Sequence, residues 1–348
     1  MPQDLGAGAM STPFTLDGKS ILITGGTGSF GKRFSQTVLG SFRPEKLIIY
    51  SRDELKQYEM QHLEPFVAHP DVMRWFIGDV RDESRLRKAM EGVDVVVHAA
   101  ALKQVPAVEY NPFEAVKTNI LGAENVINAA MAVEASQVVT LSTDKAAAPI
   151  NLYGATKLAS DKLFVAANNH RGNRDIRFSA VRYGNVLGSR GSVVPFFMAR
   201  AASGTIPVTD ERMTRFNITL QQGVDFVLKC MSRMWGGEIF VPRLPSYRIL
   251  DVVSAIAPEA EIKLVGIRPG EKLHEEMITS TDSLSAIEFD DYFVILPSFE
   301  QWDVEDFKER SGDTPGRRLT PGFSYDSGTN ERFLTVEEIR HLIATELA

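Results

Sequence analysis

The sequence is poor in cysteine, because Cys230 is the only one among 348 residues. A single cysteine excludes an internal disulfide and fits a reducing cytoplasm. The six histidines are scattered without ligand-like spacing, so we expect no structural metal. Long apolar runs, a signal-peptide core and basic tracts are also missing, and the net charge is −7. These absences argue against a membrane-spanning, secreted or nucleic-acid-binding protein.

The composition that remains is typical of a globular protein, with 44% hydrophobic and 24% charged residues. A chain of this length can bury a substantial core, which predicts one large or two intimately joined domains. Residues 1–14 are rich in small residues and aperiodic, so we expect a disordered leader without function.

Strand-like apolar runs alternate with helical stretches between residues 16 and 183. This alternation predicts an α/β fold built on a doubly wound parallel sheet of the Rossmann type. A later run at residues 238–241 is predicted to return to the same sheet, which would make the domains discontinuous. The six runs of the first part are centred on Ile21, Leu47, Trp75, Val95, Val138 and Ile176.

The first strand runs directly into a glycine-rich turn with the spacing G-x-x-G-x-x-G, followed by a helical stretch. Glycines at this spacing allow a tight turn and let backbone N–H groups approach a pyrophosphate at a helix N-terminus. The turn therefore predicts a dinucleotide site. Its candidate cofactor contacts are Gly25, Thr27, Gly28, Ser29, Phe30 and Gly31.

The second strand ends in Ser51, Arg52 and Asp53. A site for NAD usually has a carboxylate here for the ribose 2′-hydroxyl, whereas a hydroxyl plus an arginine suits a 2′-phosphate. The sequence therefore favours NADP. Two alternatives stay open: Asp53 could supply the acidic partner of NAD, and Arg52 could be a solvated surface charge.

Further cofactor contacts are predicted where the third and fourth strands end, at Asp79, Val80, Ala99 and Ala100. Asp79 could receive the adenine amino group. His98 lies within the apolar fourth strand, so we interpret it as a hydrogen-bonded core histidine rather than a base.

Tyr153 and Lys157 are four residues apart and would share one face of a helix. Such a pair is often only two exposed helix residues, but the glycine turn upstream favours a catalytic pair. A lysine ammonium beside the phenol favours phenolate, which can take a hydroxyl proton while a nicotinamide takes hydride. Asp144 and Lys145 add an acid and a base that simple alcohol oxidation does not need. The sequence therefore predicts an elimination as well.

The strings LSTDKA at 141–146 and PINLYGATK at 149–157 resemble the inverting UDP-N-acetylglucosamine 4,6-dehydratases of pseudaminic acid biosynthesis. This family belongs to the extended short-chain dehydrogenase/reductase superfamily, and the likeness runs from about Thr15 to the C-terminus. Retaining 4,6-dehydratases typically carry Asp-Glu where this chain has Asp144 and Lys145, so the lysine is the discriminating residue.

The resemblance implies a role for each catalytic candidate. Lys145 would remove the C5 proton and Asp144 would assist departure of the C6 hydroxyl. Tyr153 and Lys157 would form the oxidising pair, with Thr143 as hydroxyl partner to the C4 oxygen. A base must be neutral, so we expect burial or nearby Lys157 to depress the pKa of Lys145, while a substrate diphosphate would raise it.

The resemblance also implies a UDP-N-acetylglucosamine substrate and a cytoplasmic homo-oligomer, a dimer or hexamer, that associates through the helix carrying Tyr153. From the residues alone, isolated arginines are mostly solvated or in surface pairs, and only two converging on a cleft would suit a diphosphate. The predicted substrate contacts are Lys103, which would also touch the cofactor, with Asn185, Val194, Arg215, Arg268 and Glu271.

We therefore predict two domains after the leader: an NADP-binding domain of residues 15–185 plus about 222–250, and a smaller C-terminal α/β substrate-binding domain of 186–221 plus about 251–348. Two other functions compete with a dehydratase. A nucleotide-sugar 4-epimerase would use the same Tyr153 and Lys157, but it needs no C5 base. A non-catalytic NADP sensor would not need the intact pair.

Overall fold

The computed structural model describes residues 14–189, 192–299 and 301–347. Nearly all of the predicted leader thus lies outside the described residues. The strands are, in chain order, β1 (Ser20–Thr24), β2 (Lys46–Ser51), β3 (Met73–Ile77), β4 (Val95–His98), β5 (Gln137–Leu141), β6 (Arg177–Val181), β7 (Asn185–Val186), β8 (Thr205–Val208), β9 (Thr214–Ile218), β10 (Ile239–Pro242), β11 (Ser246–Arg248), β12 (Glu261–Leu264), β13 (Glu276–Ile278), β14 (Ala286–Glu288), β15 (Tyr292–Ile295), β16 (Arg317–Arg318) and β17 (Tyr325–Asp326).

Helices connect these strands, and the chain between α5 and α6 continues as a π-helical segment, Val116–Leu121. The helices are α1 (Ser29–Ser41), α2 (Glu54–Gln61), α3 (Glu83–Met90), α4 (Val105–Tyr110), α5 (Pro112–Ala115), α6 (Gly122–Ala132), α7 (Leu152–His170), α8 (Val193–Ala201), α9 (Leu220–Arg233), α10 (Ile249–Ile256), α11 (Val304–Arg310) and α12 (Val336–Glu346).

Ten of the described strands form one central sheet, in the spatial order β16-β14-β15-β10-β6-β5-β4-β1-β2-β3. The seven strands from β10 to β3 are parallel. The order reverses between β1 and β4, which is where ligands bind in doubly wound folds. The predicted parallel sheet is confirmed, and so is the return of the run at residues 238–241 to it.

Helices cover both faces of this sheet, because the middle of each inner strand is a continuous apolar run. In β1, Ile21 and Ile23 pack into one core cluster, which includes Phe34 of α1. Leu22 points the other way and packs with Phe164 of α7. Successive side chains of a strand alternate between faces, so one continuous apolar strand serves both layers.

The later half of the chain is divided between the central sheet and a smaller part. The smaller part has its own core, in which Val194 and Ile206 pack with Val252 and Ile339. The strands β14, β15 and β16 instead complete the central sheet, where they pair antiparallel. Residues 251–348, which were predicted to belong to the substrate-binding domain, therefore contribute to both parts. The domain boundaries stay a prediction.

No helix within residues 14–189, 192–299 and 301–347 is long and apolar enough to cross a membrane. Across the same ranges, no three histidine, cysteine or acidic side chains are grouped to hold a metal ion.

Candidate active site

A cleft of about 630 Å³ opens at the carboxyl ends of the parallel strands. This volume lies within the range of small-molecule sites. The predicted residues that line the cleft are Gly25, Thr27, Gly28, Ser29, Phe30, Gly31, Ser51, Arg52, Asp53, Asp79, Val80, Ala99, Ala100, Lys103, Thr143, Asp144, Lys145, Tyr153, Lys157 and Asn185. The structure thus brings all cofactor and catalytic candidates together, with two of the six substrate candidates.

The glycine turn forms a cradle that side chains would fill. Gly25 has φ +67°, and a Cβ there would come within 3.0 Å of the Ala100 backbone. A Cβ on Gly31 would overlap the carbonyl oxygen of Gly26. Helix α1 begins at Ser29, and no side chain caps its N-terminus at Gly28. The first backbone N–H groups of α1 are therefore available to an anion.

Asp53, the acidic alternative at the end of β2, is engaged within the protein. One oxygen accepts from the Lys56 backbone N–H at 3.0 Å, which caps α2, and the other lies 2.5 Å from the Lys56 ammonium. This side-chain contact is the main cause that lowers the pKa of Asp53. The Ser51 hydroxyl lies 2.8 Å from that of Thr27. Arg52, half exposed, lies 3.4 Å from Asp79.

Sequence reasoning missed two further cations in this part of the cleft, Lys32 and Lys56. The position of Lys56 in the sequence could have identified it. It lies on the first turn of α2, four residues after Arg52, and therefore near the same end of β2. Asp79, predicted to meet the adenine, also pairs with Arg81 at 2.7 Å.

His98 lies in the core, as the sequence suggested. It is 2% exposed, and its Nδ1 lies 2.8 Å from the Thr24 hydroxyl. Its ring stacks on Phe164. Burial, reinforced by Lys157, lowers the pKa of His98 to about 3.

Helix α7 places Tyr153 and Lys157 on the wall of the cleft, and Asn151 caps it by accepting from the Gly154 N–H at 2.8 Å. Burial raises the pKa of Tyr153 to about 12, while Lys145 and the Thr143 hydroxyl act to lower it. Burial also lowers the pKa of Lys157, against the opposing charge of Asp161. Lys145 is thus one cation that lowers the pKa of the phenol, and the same part expected of Lys157 stays a prediction.

Asp144 and Lys145 follow β5 in a short 3-10 turn, Asp144–Ala146. Asp144 is fully buried, and its Oδ1 accepts from the Thr143 hydroxyl at 2.9 Å and from the Lys145 ammonium at 3.0 Å. Its Oδ2 is buried without a hydrogen-bond partner. One carboxylate oxygen is thus shared by a hydroxyl and an ammonium, while the other is free to receive a ligand.

The surroundings of Lys145 differ from the expectation that its pKa would be depressed. Its Nζ lies between Asp144 and the Oε1 of Glu275, 3.3 Å away. Burial lowers the pKa of Lys145, but these two carboxylates outweigh burial and raise it above its ordinary value. Lys145 is therefore an ammonium in this structure. Glu275 was not among the predicted site residues, because it lies far along the chain and reaches Lys145 only through the packing of the folded protein.

The other substrate candidates lie outside the residues that line the cleft. Arg215 donates to the carbonyl oxygens of Thr214, Lys272 and Leu273 at 2.6 to 3.1 Å. Arg268 is 64% exposed and 3.8 Å from Glu271. Val194 is 2% exposed within the core of the smaller part. Their predicted contacts with a substrate stay predictions.

The segment 270–275 is nevertheless tied to the catalytic loop. The Asn151 amide donates to the Gly270 carbonyl at 2.8 Å, and the Lys272 ammonium donates to the Ala147 carbonyl at 2.7 Å. With the contact between Glu275 and Lys145, these bonds hold the segment beside Asp144, Lys145 and Tyr153.

Known proteins resemble this chain along most of its length. A family described as polysaccharide biosynthesis protein matches residues 21–297. A UDP-N-acetylglucosamine 4,6-dehydratase (inverting) from Campylobacter jejuni is 54% identical, over 94% of this chain and 98% of that protein. A UDP-glucose 4-epimerase from Rickettsia canadensis is 37% identical, over 94% and 96%. The crystal structure of Pen from Bacillus thuringiensis superposes with a TM-score of 0.85 at 36% identity, over 96% and 99%.

Proposed function

The chain belongs to the polysaccharide biosynthesis protein family, and we propose that it is a configuration-inverting UDP-N-acetylglucosamine 4,6-dehydratase. Its product would be the 4-keto-6-deoxy sugar of L-arabino configuration, with water, as the first step of pseudaminic acid biosynthesis. One observation carries the proposal: Asp144 and Lys145 lie 3.0 Å apart in the same cleft as Tyr153. A dehydration of this kind needs an acid and a base beside the phenol that takes the C4 hydroxyl proton.

The cofactor we propose is NADP. The glycine cradle and the free N–H groups of α1 suit its pyrophosphate. Asp53 is engaged with Lys56, so its carboxylate is not free for a ribose hydroxyl, while the Ser51 hydroxyl and the half-exposed Arg52 guanidinium suit a 2′-phosphate. When bound, the nicotinamide would accept a hydride from C4 of the sugar and return it to C6.

Tyr153 performs the first proton transfer in this proposal. Its phenolate takes the proton of the C4 hydroxyl, and the Thr143 hydroxyl, which donates to Asp144 in this structure, turns to become the hydrogen-bond partner of the C4 oxygen. Lys145 lowers the pKa of the phenol and so promotes this step. The C4 ketone then acidifies the C5–H bond.

Elimination follows from one proton transfer between neighbours. The Lys145 ammonium gives a proton to Asp144 across their 3.0 Å hydrogen bond, which breaks an N–H bond and forms an O–H bond. The transfer leaves a neutral amine and a carboxylic acid, which are the two groups that elimination needs. The amine removes the C5 proton, and the acid protonates the C6 hydroxyl, which leaves as water. Return of the hydride to C6 would leave an enolate, and a proton from solvent that adds to C5 from the opposite face then inverts its configuration.

The residues of the cleft also argue against the two alternative functions, a 4-epimerase and a non-catalytic sensor. A 4-epimerase, the activity named for the Rickettsia relative, would need no base at Lys145. A non-catalytic sensor would not need Tyr153 and Lys157 in the cleft beside Asp144.

Incubation with UDP-N-acetylglucosamine, followed by mass spectrometry and NMR, distinguishes the dehydratase, the epimerase and the sensor. We expect loss of one water; an unchanged mass with altered C4 would indicate the epimerase, and NADP binding without turnover the sensor.

Isotopes test the proposed route of the atoms. In D₂O the first-formed product should gain one deuterium, at C5, with inverted configuration. Substrate deuterated at C4 should carry that deuterium into the C6 methyl group. Early solvent deuterium in the methyl group would contradict the internal hydride return, and early retention at C5 would contradict inversion.

Two variants should stop the reaction at different steps. Lys145→Ala should still reduce the bound nicotinamide when substrate arrives, although more slowly, because Tyr153 remains to take the C4 hydroxyl proton, whereas Tyr153→Phe should not. Lys162→Ala, at an exposed lysine of α7, is the control and should turn over normally. Single-turnover absorbance of the reduced nicotinamide reports the difference. If neither Lys145→Ala nor Tyr153→Phe forms reduced nicotinamide, Lys145 serves binding or oxidation and the assigned roles are wrong.

We further propose that the protein acts in the cytoplasm as a homo-oligomer, a dimer or a hexamer. Exposed aromatic side chains beside α7 support self-association, since large apolar groups on a surface often mark an interface.

A further inference from the structure

We infer that Glu275 is the positioning residue of Lys145: it orients the amine toward the substrate and carries the counter-charge for the ammonium that forms when the C5 proton is taken. This inference rests on the function proposed above. In serine proteases a buried aspartate orients the catalytic histidine and stabilises its cation. We assign the same function to Glu275 with respect to Lys145.

The geometry of Glu275 supports this role. The residue is 2% exposed, and its Oε1 lies 3.3 Å from Lys145 Nζ and 3.7 Å from Arg215 Nε. Its Oε2 is buried, and no side chain or backbone group of the described residues forms a hydrogen bond with it. Its backbone is fixed on both sides, because its N–H donates to the Ser327 hydroxyl at 2.9 Å and its carbonyl accepts from the Ser327 N–H at 2.8 Å. The carboxylate is therefore held in one place, pointing at the amine.

Within the part of the chain that the structure describes, five titratable or charged groups face Lys145 from the elements around it. They are Asp144 on its own turn, Glu275 before β13, Arg215 on β9, Tyr153 on α7 and Tyr247 on β11.

Asp144 already accepts from Thr143 and has a role as the acid that protonates the leaving hydroxyl. Once Asp144 has received a proton it is neutral, and Glu275 is then the one carboxylate of this group that still balances the cations of Lys145 and Arg215. An unpaired buried ammonium is costly, so a carboxylate at this position stabilises the charge that proton abstraction creates.

The test compares Glu275→Gln and Glu275→Asp with the unchanged protein, each carrying ¹³C- and ¹⁵N-labelled lysine. Glu276→Gln is the matched control, because Glu276 is the next residue along the chain and accepts from Ser324 at 2.7 Å. NMR titration of the Lys145 side chain, assigned by its loss in Lys145→Arg, gives its pKa without any substrate. Removing a carboxylate this close should lower that pKa by about one to three units in Glu275→Gln. Glu275→Asp should keep most of the charge effect, and the control should show no change.

Turnover provides the second measurement. In Glu275→Gln we expect kcat to fall by about 10²-fold or more with KM little changed. The descending limb of the pH profile, where the Asp144–Lys145 pair loses the proton that it shares, should move to lower pH. Reduced nicotinamide should still accumulate in a single turnover, while deuterium uptake at C5 slows with kcat. Glu275→Asp should recover part of the rate.

The outcomes separate this inference from the proposed function. An unchanged Lys145 pKa in Glu275→Gln would overturn the inference, as would loss of nicotinamide reduction in a folded Glu275→Gln. A lowered pKa in a protein that dehydrates no UDP-N-acetylglucosamine would overturn the proposed function and still support the charge coupling of the two residues. A lowered pKa together with a block after C4 oxidation supports both.

Discussion

Arg52 is the residue whose charge should decide between the two nicotinamide cofactors. It lines the cleft with half of its side chain exposed, and Asp53 beside it is engaged with Lys56. A charge-assisted contact with a 2′-phosphate is worth about 1.5–3 kcal/mol. Calorimetry of Arg52→Ala should therefore show NADP weakened by roughly tenfold or more and NAD hardly affected. Equal losses for both cofactors would contradict the assignment.

His98 should make the fold sensitive to acid. The pKa of His98 in the folded protein, about 3, lies below the ordinary value of 6.5. Between these two pH values the unfolded chain therefore binds a proton at His98 and the folded protein does not. The stability that results is fully present above pH 6.5 and is lost as pH falls from there toward about 3. At a pH two units below 6.5 the loss should be about 3 kcal/mol.

Urea unfolding of His98→Gln and of the unchanged protein, at neutral pH and in this acidic window, measures the effect. The variant should lose less stability on acidification. His341→Gln, at an exposed histidine of α12, is the control and should follow the unchanged protein. If all three proteins lose the same amount, His98 is not the source of the acid sensitivity.

At the scale of elements, α7 can approach the catalytic loop only because residue 154 is glycine. A Cβ there would overlap the Lys145 carbonyl oxygen and lie 3.1 Å from the Pro149 Cβ. Gly154→Ala should therefore push the loop away from Tyr153, lower kcat and cost about 1–3 kcal/mol of stability. Gly223→Ala in α9 is the matched control, since no atom lies closer than 3.9 Å to its new Cβ.

In a helix, alanine stabilises relative to glycine by about 0.5–1 kcal/mol, so the control should keep its activity and melt slightly higher. Thermal melting and steady-state turnover check both variants. A Gly154→Ala protein with unchanged kcat would mean that the packing of α7 on the loop does not position Lys145.

The elements that the sequence predicts best are those whose signals are local. The apolar run at Ile21 and the glycine turn after it give β1 and the start of α1, and the spacing of Tyr153 and Lys157 gives one face of α7. Glu275 and Arg215 carry no such signal, because their meaning comes from packing against a loop far away in the chain. For the same reason the depressed pKa expected for Lys145 was wrong: the carboxylate that reverses it belongs to another element.

At the scale of the whole molecule, the surface beside α7 should join copies of the chain. Tyr110 of α4 and Phe113 of α5 are 88% and 77% exposed, and both helices pack along α7. Burying such aromatic rings gains about 1.5–3 kcal/mol for each side chain. Sedimentation of Phe113→Glu should show a shift toward monomer. Tyr58→Glu, which places the same charge at an exposed tyrosine of α2, should sediment like the unchanged protein.

The antiparallel strands that complete the central sheet bear on how the chain is made in the cell. During synthesis the first six strands emerge early, and β10 can join them, but its other edge is covered only when β15 follows. Ile239, Phe240 and Val241 are all buried in the finished sheet. A nascent chain that ends before β15 therefore presents a bare, apolar strand edge, the kind of surface that pairs with other chains. Chaperones should hold the growing polypeptide at this stage, and premature termination products should aggregate.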